Sequence, residues 1–402
     1  MPPTLSTEQR KEQRRNALDV QELVDLAICF LDDSPRDLAT CSVVARSWVH
    51  AAQASLFRAP HITNPLLRVF THNDGVVLQL YNTLVASPHL IGHVRDLELQ
   101  QGLSRATIEK ISSLPFTRLE NLSLNVLKLT YWDPQVKPLL GLHSLRYLRL
   151  STPGLVSCAH LLAGHPSSIR HLHLRCAPWE GDAVSVGFPV FPIRLRSFYL
   201  RVHIEQHPDE PQSLDSNTHP FDLTELKAFG VFDARSIRWE SIPARTKESL
   251  EVLQVGLTDT KEVDLSQFPQ LTTVRLMLRK NTISGCRNTL ATISPTHRIQ
   301  TILLWIANWN LIDEKEYAEN LDQILSSLVP APIVKFECIV KSVETEACLR
   351  KLFPKLVLQR KFQMVYHAPG IADPGLRVGM VGVDIRMLSS FVVLQAKLVT
   401  PE

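Results

Sequence analysis

One hexapeptide frame, with apolar residues at its first, fourth and sixth places, returns ten times and limits the fold of this chain more than any other feature. The copies are Val94-Leu97-Leu99, Leu119-Leu122-Leu124, Leu145-Leu148-Leu150, Ile169-Leu172-Leu174, Leu195-Phe198-Leu200, Leu223-Leu226-Ala228, Leu250-Leu253-Val255, Leu271-Val274-Leu276, Ile299-Ile302-Leu304 and Ile333-Phe336-Cys338. Successive copies begin 21 to 34 residues apart, mostly near 26, a spacing typical of stacked repeats. The fourth and sixth residues alternate with polar ones, so both point to one face of a short strand. Between copies lie runs of helical character at 76–86, 105–114, 155–162 and 317–328; in the last, Tyr317, Leu321, Ile324 and Leu328 share one side. A single strand and helix cannot bury their apolar faces alone, whereas stacked units share one core between a strand layer and a helix layer. The pattern predicts an α/β solenoid of about ten irregular, curved strand–helix units.

In its clearest copy, Leu145-Arg146-Tyr147-Leu148-Arg149-Leu150, the frame reads L-x-x-L-x-L, and residues 94–353 resemble the leucine-rich repeat proteins. The copies lack that family's regular Asn or Cys after the strand. The resemblance implies a concave face made by the strand layer and lined by the residues beside the inward pair. Along the chain these are Asp96, Glu98 and Gln100; Asn121, Ser123 and Asn125; Tyr147, Arg149 and Ser151; His171, His173 and Arg175; Ser197, Tyr199 and Arg201. Glu225, Lys227 and Phe229, then Thr273, Arg275 and Met277, then Thr301, Leu303 and Trp305 continue the row. Tyr147, Arg149, His171, His173, Arg175, Tyr199 and Arg201 form its middle band, rich in the residue types that interfaces favour, and are the candidate target-binding set. Arginine forks suit carboxylate or phosphate, so an acidic or phosphorylated protein segment is the expected ligand. The long connectors 178–192 and 205–222, rich in Pro, Asp, Ser and His, read as surface excursions.

The N-terminal part has a different texture. Asp19 with Glu22 makes a helix start, and the helix from 20 to 31 is apolar almost all round, with Gln21, Glu22 and Asp25 its strongly polar residues. A second helix opens at Ser34-Pro35 with Asp37 in its first turn, and a third places Val44, Trp48, Ala52 and Leu56 on one face. Three short helices cannot bury that much apolar surface among themselves, so either the neighbouring repeats cover it or another protein does. Gln21-Glu22-Leu23-Val24-Asp25, Asp37-Leu38, Cys41-Ser42-Val43-Val44-Ala45-Arg46-Ser47-Trp48 and Leu56-Phe57 resemble an F-box, the adaptor-binding segment of Skp–cullin–F-box ubiquitin ligases. The match departs from the family where Asp19-Val20 replaces the opening Leu-Pro pair and Ala45 stands at a position where Cys is common. The resemblance implies that Val20, Glu22, Leu23, Leu26, Leu38, Val43, Arg46 and Trp48 contact a Skp-type adaptor.

Composition narrows the remaining classes. A net charge of +3 gives no ground for nucleic acid or an acidic membrane as the main partner. The seven cysteines are scattered, with no C-x-x-C pair, which favours a reducing compartment, cytosolic or nuclear. The apolar stretch 376–400 carries Arg377, Asp384, Arg386 and Lys397 and does not suit a membrane span. The cluster of Cys158, His160, His165, His171, His173 and Cys176 divides between strand and helix layers, so no metal site is expected. No nucleotide-binding, hydrolase or metalloprotease motif occurs, and neither a cofactor nor catalysis is expected. The expected organisation is a leader at 1–16, an F-box-like helical segment at 17–60 and a connector with the first repeat helix at 61–93. The repeat array follows at 94–353, and a C-terminal cap at 354–402. The function implied is a ligase substrate receptor; a repeat scaffold without a ubiquitin role is the alternative.

Overall fold

The computed structural model describes residues 21–31, 34–44, 46–58, 74–99, 103–125, 133–152, 161–162, 168–176, 193–202, 221–232, 237–257, 262–278, 283–306, 315–338 and 343–366. The fold is α/β. Three N-terminal helices, α1 (Gln21–Cys29), α2 (Pro35–Val44) and α3 (Arg46–Arg58), precede α4 (Asp74–Ala86) and a 3-10 turn at Pro88–His93. There follow β1 (Asp96–Leu99), α5 (Arg105–Ser112), β2 (Asn121–Asn125), α6 (Asp133–Leu140), β3 (Tyr147–Thr152), β4 (His171–Cys176), β5 (Ser197–Val202) and β6 (Ala228–Val231). The chain continues through α7 (Ala244–Ser249), β7 (Val252–Gly256), β8 (Thr273–Leu278), α8 (Ile283–Ala291), β9 (Thr301–Ile306), α9 (Lys315–Ser327) and β10 (Ile333–Cys338). It closes with α10 (Val343–Leu352), α11 (Pro354–Leu358) and β11 (Phe362–Tyr366). The eleven strands lie in one sheet in chain order, and β3 to β11 pair in parallel throughout.

The same backbone joint recurs at seven steps among the described residues. The carbonyl of the residue just before a strand pair accepts two successive N–H groups from the next unit: Arg95 from Glu120 and Asn121, Arg146 from Arg170 and His171, Arg170 from Arg196 and Ser197. Arg196, Lys227, Glu251 and Thr272 repeat it toward 227/228, 251/252, 272/273 and 300/301. A joint made by the main chain alone tolerates any side chain, which is how units of such different sequence stack alike.

Register corrects the expected frame in two units. Phe198 faces Phe229 and Leu200 faces Val231, so the inward pair of the sixth unit is Phe229 and Val231, not Leu226 and Ala228. Phe229 therefore belongs to the core, where it packs on Phe198 and Trp239 at 6.0 Å each. In the tenth unit Ile302 faces Val334 and Leu304 faces Phe336, so Val334 and Phe336 point inward and Ile333 is exposed. The buried face of α9 is formed by Ala318, Leu321 and Leu325, with Ile324 and Leu328 only half-buried. Asp322 on the same helix is buried because its carboxylate accepts from the N–H groups of Lys355 (2.9 Å) and Leu356 (3.1 Å) at the start of α11. Buried hydroxyls do comparable work at other turns: Thr246 donates to Leu223 carbonyl, and Thr289 accepts from Val263 N–H.

The chain divides into two compact units, residues 1–122 and 123–402. Within the first, α1 to α3 share a unit with α4, the 3-10 turn and β1. Of the long connectors, Ile193-Arg194 and Phe221-Asp222 form a two-stranded parallel pair. The residues between them at 203–220, and those at 177–192, lie outside the described residues, as do the leader and the end of the cap from 367. Among the described residues no helix is long and apolar enough to cross a membrane.

Candidate functional site

The N-terminal helices close a small core of their own. Val24 and Ile28 of α1, Leu38 and Cys41 of α2, and Ala51 and Ala52 of α3 are buried together, with Leu31, Trp48 and Leu56 packed against them. Helix α3 also meets the 3-10 turn: Arg95 N–H donates to the Arg58 carbonyl at 2.9 Å, and the rings of His50 and His93 meet edge to face at 5.1 Å. An open cleft of about 370 Å³ there is lined by Asp25, Cys29, His50, Arg58, His93 and Arg118 among others. His93 titrates below the ordinary histidine range, through burial first and then the charges of His50, His89 and Arg118. Among the described residues no group of His, Cys, Asp and Glu is arranged to hold a metal.

Closing that core leaves the other side of α1 and the end of α2 uncovered. Leu23, Leu26 and Phe30 recur at helical spacing and are 47%, 57% and 81% exposed; Val43 and Val44 are 80% and 63% exposed. A helix apolar all round is here covered on one side only. Glu22, Leu23, Leu26 and Val43 of the expected adaptor set are on the surface. Leu38 of the same set lies inside the helical core with Val24 and Ala52. Trp48 is partly buried against that core, Arg46 is the first residue of α3, and Val20 lies outside the described residues. Val44 ends α2 and is exposed, so it does not join Trp48, Ala52 and Leu56 on the third helix.

The second candidate is the sheet face opposite the inward pairs. Register places Arg149, His173 and Tyr199 side by side on β3, β4 and β5, with Tyr147, His171 and Ser197 on one side and Ser151, Arg175 and Arg201 on the other. The residues expected to bind a target thus lie side by side on three adjacent strands. It is not the solvated surface the alternation implies. Tyr147, Arg149, His173 and Tyr199 are buried, while His171, Arg175 and Arg201 are half-buried. His171 Nδ1 lies 2.8 Å from Ser197 Oγ. His173 is 2% exposed, neither of its ring nitrogens has a hydrogen-bond partner among the described residues, and its ring stands edge to face on Tyr199 at 4.5 Å. Burial, then the charges of Arg149, Arg201 and Arg175, hold His173 well below the ordinary range, so it is neutral. Arg201 lies over the Phe232 ring at 4.3 Å.

The row continues through Arg275 and through Gly230, Gln254 and Glu337, the last three of which sequence reasoning missed. Tyr199 lies across Gly230 to accept a hydrogen bond at 3.1 Å from Nε2 of buried Gln254. Arg275, fully buried, forms an ion pair with Glu337 two strands away, spanning β9. The signal for Gly230 was the alternation Phe229-Gly230-Val231, hidden by the slipped frame. Nothing in the local sequence marks Gln254 or Glu337, because their partners come from other units. No family model matches the chain, and no curated protein matches it.

Proposed function

We propose that this protein is the substrate-recognition subunit of a Skp–cullin–F-box-type ubiquitin ligase, built on a leucine-rich-repeat solenoid. The observation that carries the reading is the stripe of Leu23 and Leu26 on α1 with Phe30 just past its end, exposed on the side opposite the one that closes a core. Water-facing side chains of that size favour burial against a partner by roughly 1.5–3 kcal/mol each. The F-box resemblance names the partner as a Skp-type adaptor. The strand face then holds a target protein, and catalysis proceeds by raising the target's effective concentration at the ubiquitin-loaded enzyme, with no catalytic group from this chain. Such a complex works in the cytosol or nucleus.

The packing of α3 on the 3-10 turn supports a second reading, in which the helices cap a scaffold without a ubiquitin role. Adaptor capture by the full-length chain separates the two. Wild type should retain a Skp-type adaptor, and Leu23→Asp should abolish capture with unchanged circular dichroism, because a carboxylate enters an apolar contact. Leu38→Asp should instead unfold the helices. Absence of capture by wild type, or capture unaffected by Leu23→Asp, refutes the ligase reading.

A further inference from the structure

We infer that the cleft between α1, α3 and the 3-10 turn binds a small carboxylate with a short apolar chain, the carboxylate held by Arg118 and His93 and the chain by Ile28, Ala51 and Ala54. Its volume of about 370 Å³ is that of a small-molecule site. Asp25, Ile28 and Cys29 line it from a side of α1 that Leu23 and Leu26 do not share, so a ligand here leaves the exposed stripe uncovered. Occupancy of the cleft is thus independent of adaptor capture.

Basic groups gather at this cleft out of proportion to the chain. The net charge is only +3, yet His50, Arg58, His93, Arg95 and Arg118 all line it, and Asp25 is the single carboxylate among the lining residues. Most of these groups are already engaged. Asp25 accepts from Gln21 Nε2 at 2.7 Å, Arg95 pairs with Glu120 at 3.3 Å, and Arg58 has contacts of its own. Arg118 differs: it is exposed, and among the described residues its guanidinium has neither a hydrogen bond nor an ion pair. The rings of His50 and His93 touch each other at 5.1 Å and have no hydrogen-bond partner among the described residues. The positive charge is felt inside the cleft, where burial first, and then His50, His89 and Arg118, lower the titration of His93. A concave site lined by one sign of charge concentrates ions of the other.

The donors select a carboxylate over a phosphate. One free guanidinium offers a planar fork whose two parallel N–H groups match the two oxygens of a carboxylate, and the N–H of His93 serves a remaining lone pair. A phosphate brings close to two charges and three acceptor oxygens, which call for several guanidinium groups, and that of Arg95 is taken by Glu120. Ile28, Ala51 and Ala54 offer no polar side-chain atom, so they suit a chain of a few carbons. Each methylene buried there strengthens binding about fourfold.

The test is titration of the full-length protein at fixed ionic strength with acetate, butyrate, butylammonium and inorganic phosphate, followed by NMR at the histidine ring protons. His93→Gln assigns the reporting signal. Butyrate should shift it saturably and bind more tightly than acetate, butylammonium should leave it unmoved, and phosphate should bind more weakly than butyrate. Arg118→Gln, at an exposed position that does not carry the fold, should weaken butyrate at least tenfold, and Arg118→Lys, which keeps the charge but loses the fork, should fall between. A bound carboxylate favours the charged form of His93, so affinity should rise as pH falls from about 8 to about 6, by at most about tenfold per pH unit. The other titratable groups around His93 are Asp25 and Cys29 of α1, His50 of α3 and His89 of the turn, with Asp74 and Tyr81 on α4, which packs on the turn; Asp74 accepts from Ser104 N–H at 2.8 Å. No saturation by butyrate, or binding unchanged in Arg118→Gln, overturns the site. Equal affinity for acetate and butyrate overturns the apolar chain, and phosphate binding more tightly than butyrate overturns the carboxylate.

Discussion

Gly230→Ala tests whether the strand face is a packed layer or an open surface. A β-carbon built at Gly230 falls 2.7 Å from Cε2 and 3.3 Å from Cγ of Tyr199, and closer still to Cδ2. These atoms lie near the root of the ring, so the whole side chain must swing away and no flexible tip can absorb the clash. The swing removes the edge-to-face contact with His173 and the hydrogen bond from Gln254. Gln254 is 2% exposed and its Oε1 has no partner among the described residues, so its amide is then buried without one there. Overpacking costs about 1–3 kcal/mol and the orphaned donor about 1–3 kcal/mol. Against these, replacing glycine at an ordinary strand conformation stabilises by about 0.4–1 kcal/mol through the unfolded chain. The net expectation is a loss of about 1–5 kcal/mol, read as a lower urea midpoint at unchanged slope. In a Tyr199→Ala background the clash has no partner, and Gly230→Ala should become neutral or slightly stabilising. A cost below about 0.5 kcal/mol, or the same cost in both backgrounds, would refute the packed-layer argument.

Two further outcomes follow from the same face. Arg275→Met should destabilise by about 3–5 kcal/mol because it strands buried Glu337, and Glu337→Leu in the same chain should restore most of the loss; urea unfolding of both singles and the double measures the coupling. His173 is neutral when folded and titrates near 6.5 when unfolded, so below that pH the unfolded chain takes up a proton that the folded one does not. Its contribution is therefore fully present above pH 6.5 and lost as pH falls toward the depressed folded value, with a slope of at most about 1.4 kcal/mol per pH unit. His173→Gln should flatten the stability profile below pH 6.5 without abolishing its slope, since burial and the charges of Arg196 and Arg170 lower His171 in the same direction.

The sequence by itself determined the elements and their order. Leu148 and Leu150, or Leu172 and Leu174, point inward because alternation along a strand is a local consequence of the pleat, and ten such pairs at near-constant spacing call for stacked units. The three N-terminal helices were equally legible, since caps and apolar spacing act within a few residues. Two frames slipped where local rules tie. Leu223-Leu226-Ala228 satisfies the frame as a string, and only pairing of Phe229 with Phe198 shows which residues enter the core. What covers a face is a different kind of question, because it depends on residues distant in the chain. Alternation places Arg149, His173 and Arg275 opposite the core, yet the fold buries them, pairing Arg275 with a carboxylate two strands away and leaving His173 among three arginines. The same holds for α1: its sequence is apolar almost all round, and only the packing of α2 and α3 decides that Val24 and Ile28 are covered while Leu23, Leu26 and, just past the helix, Phe30 face water.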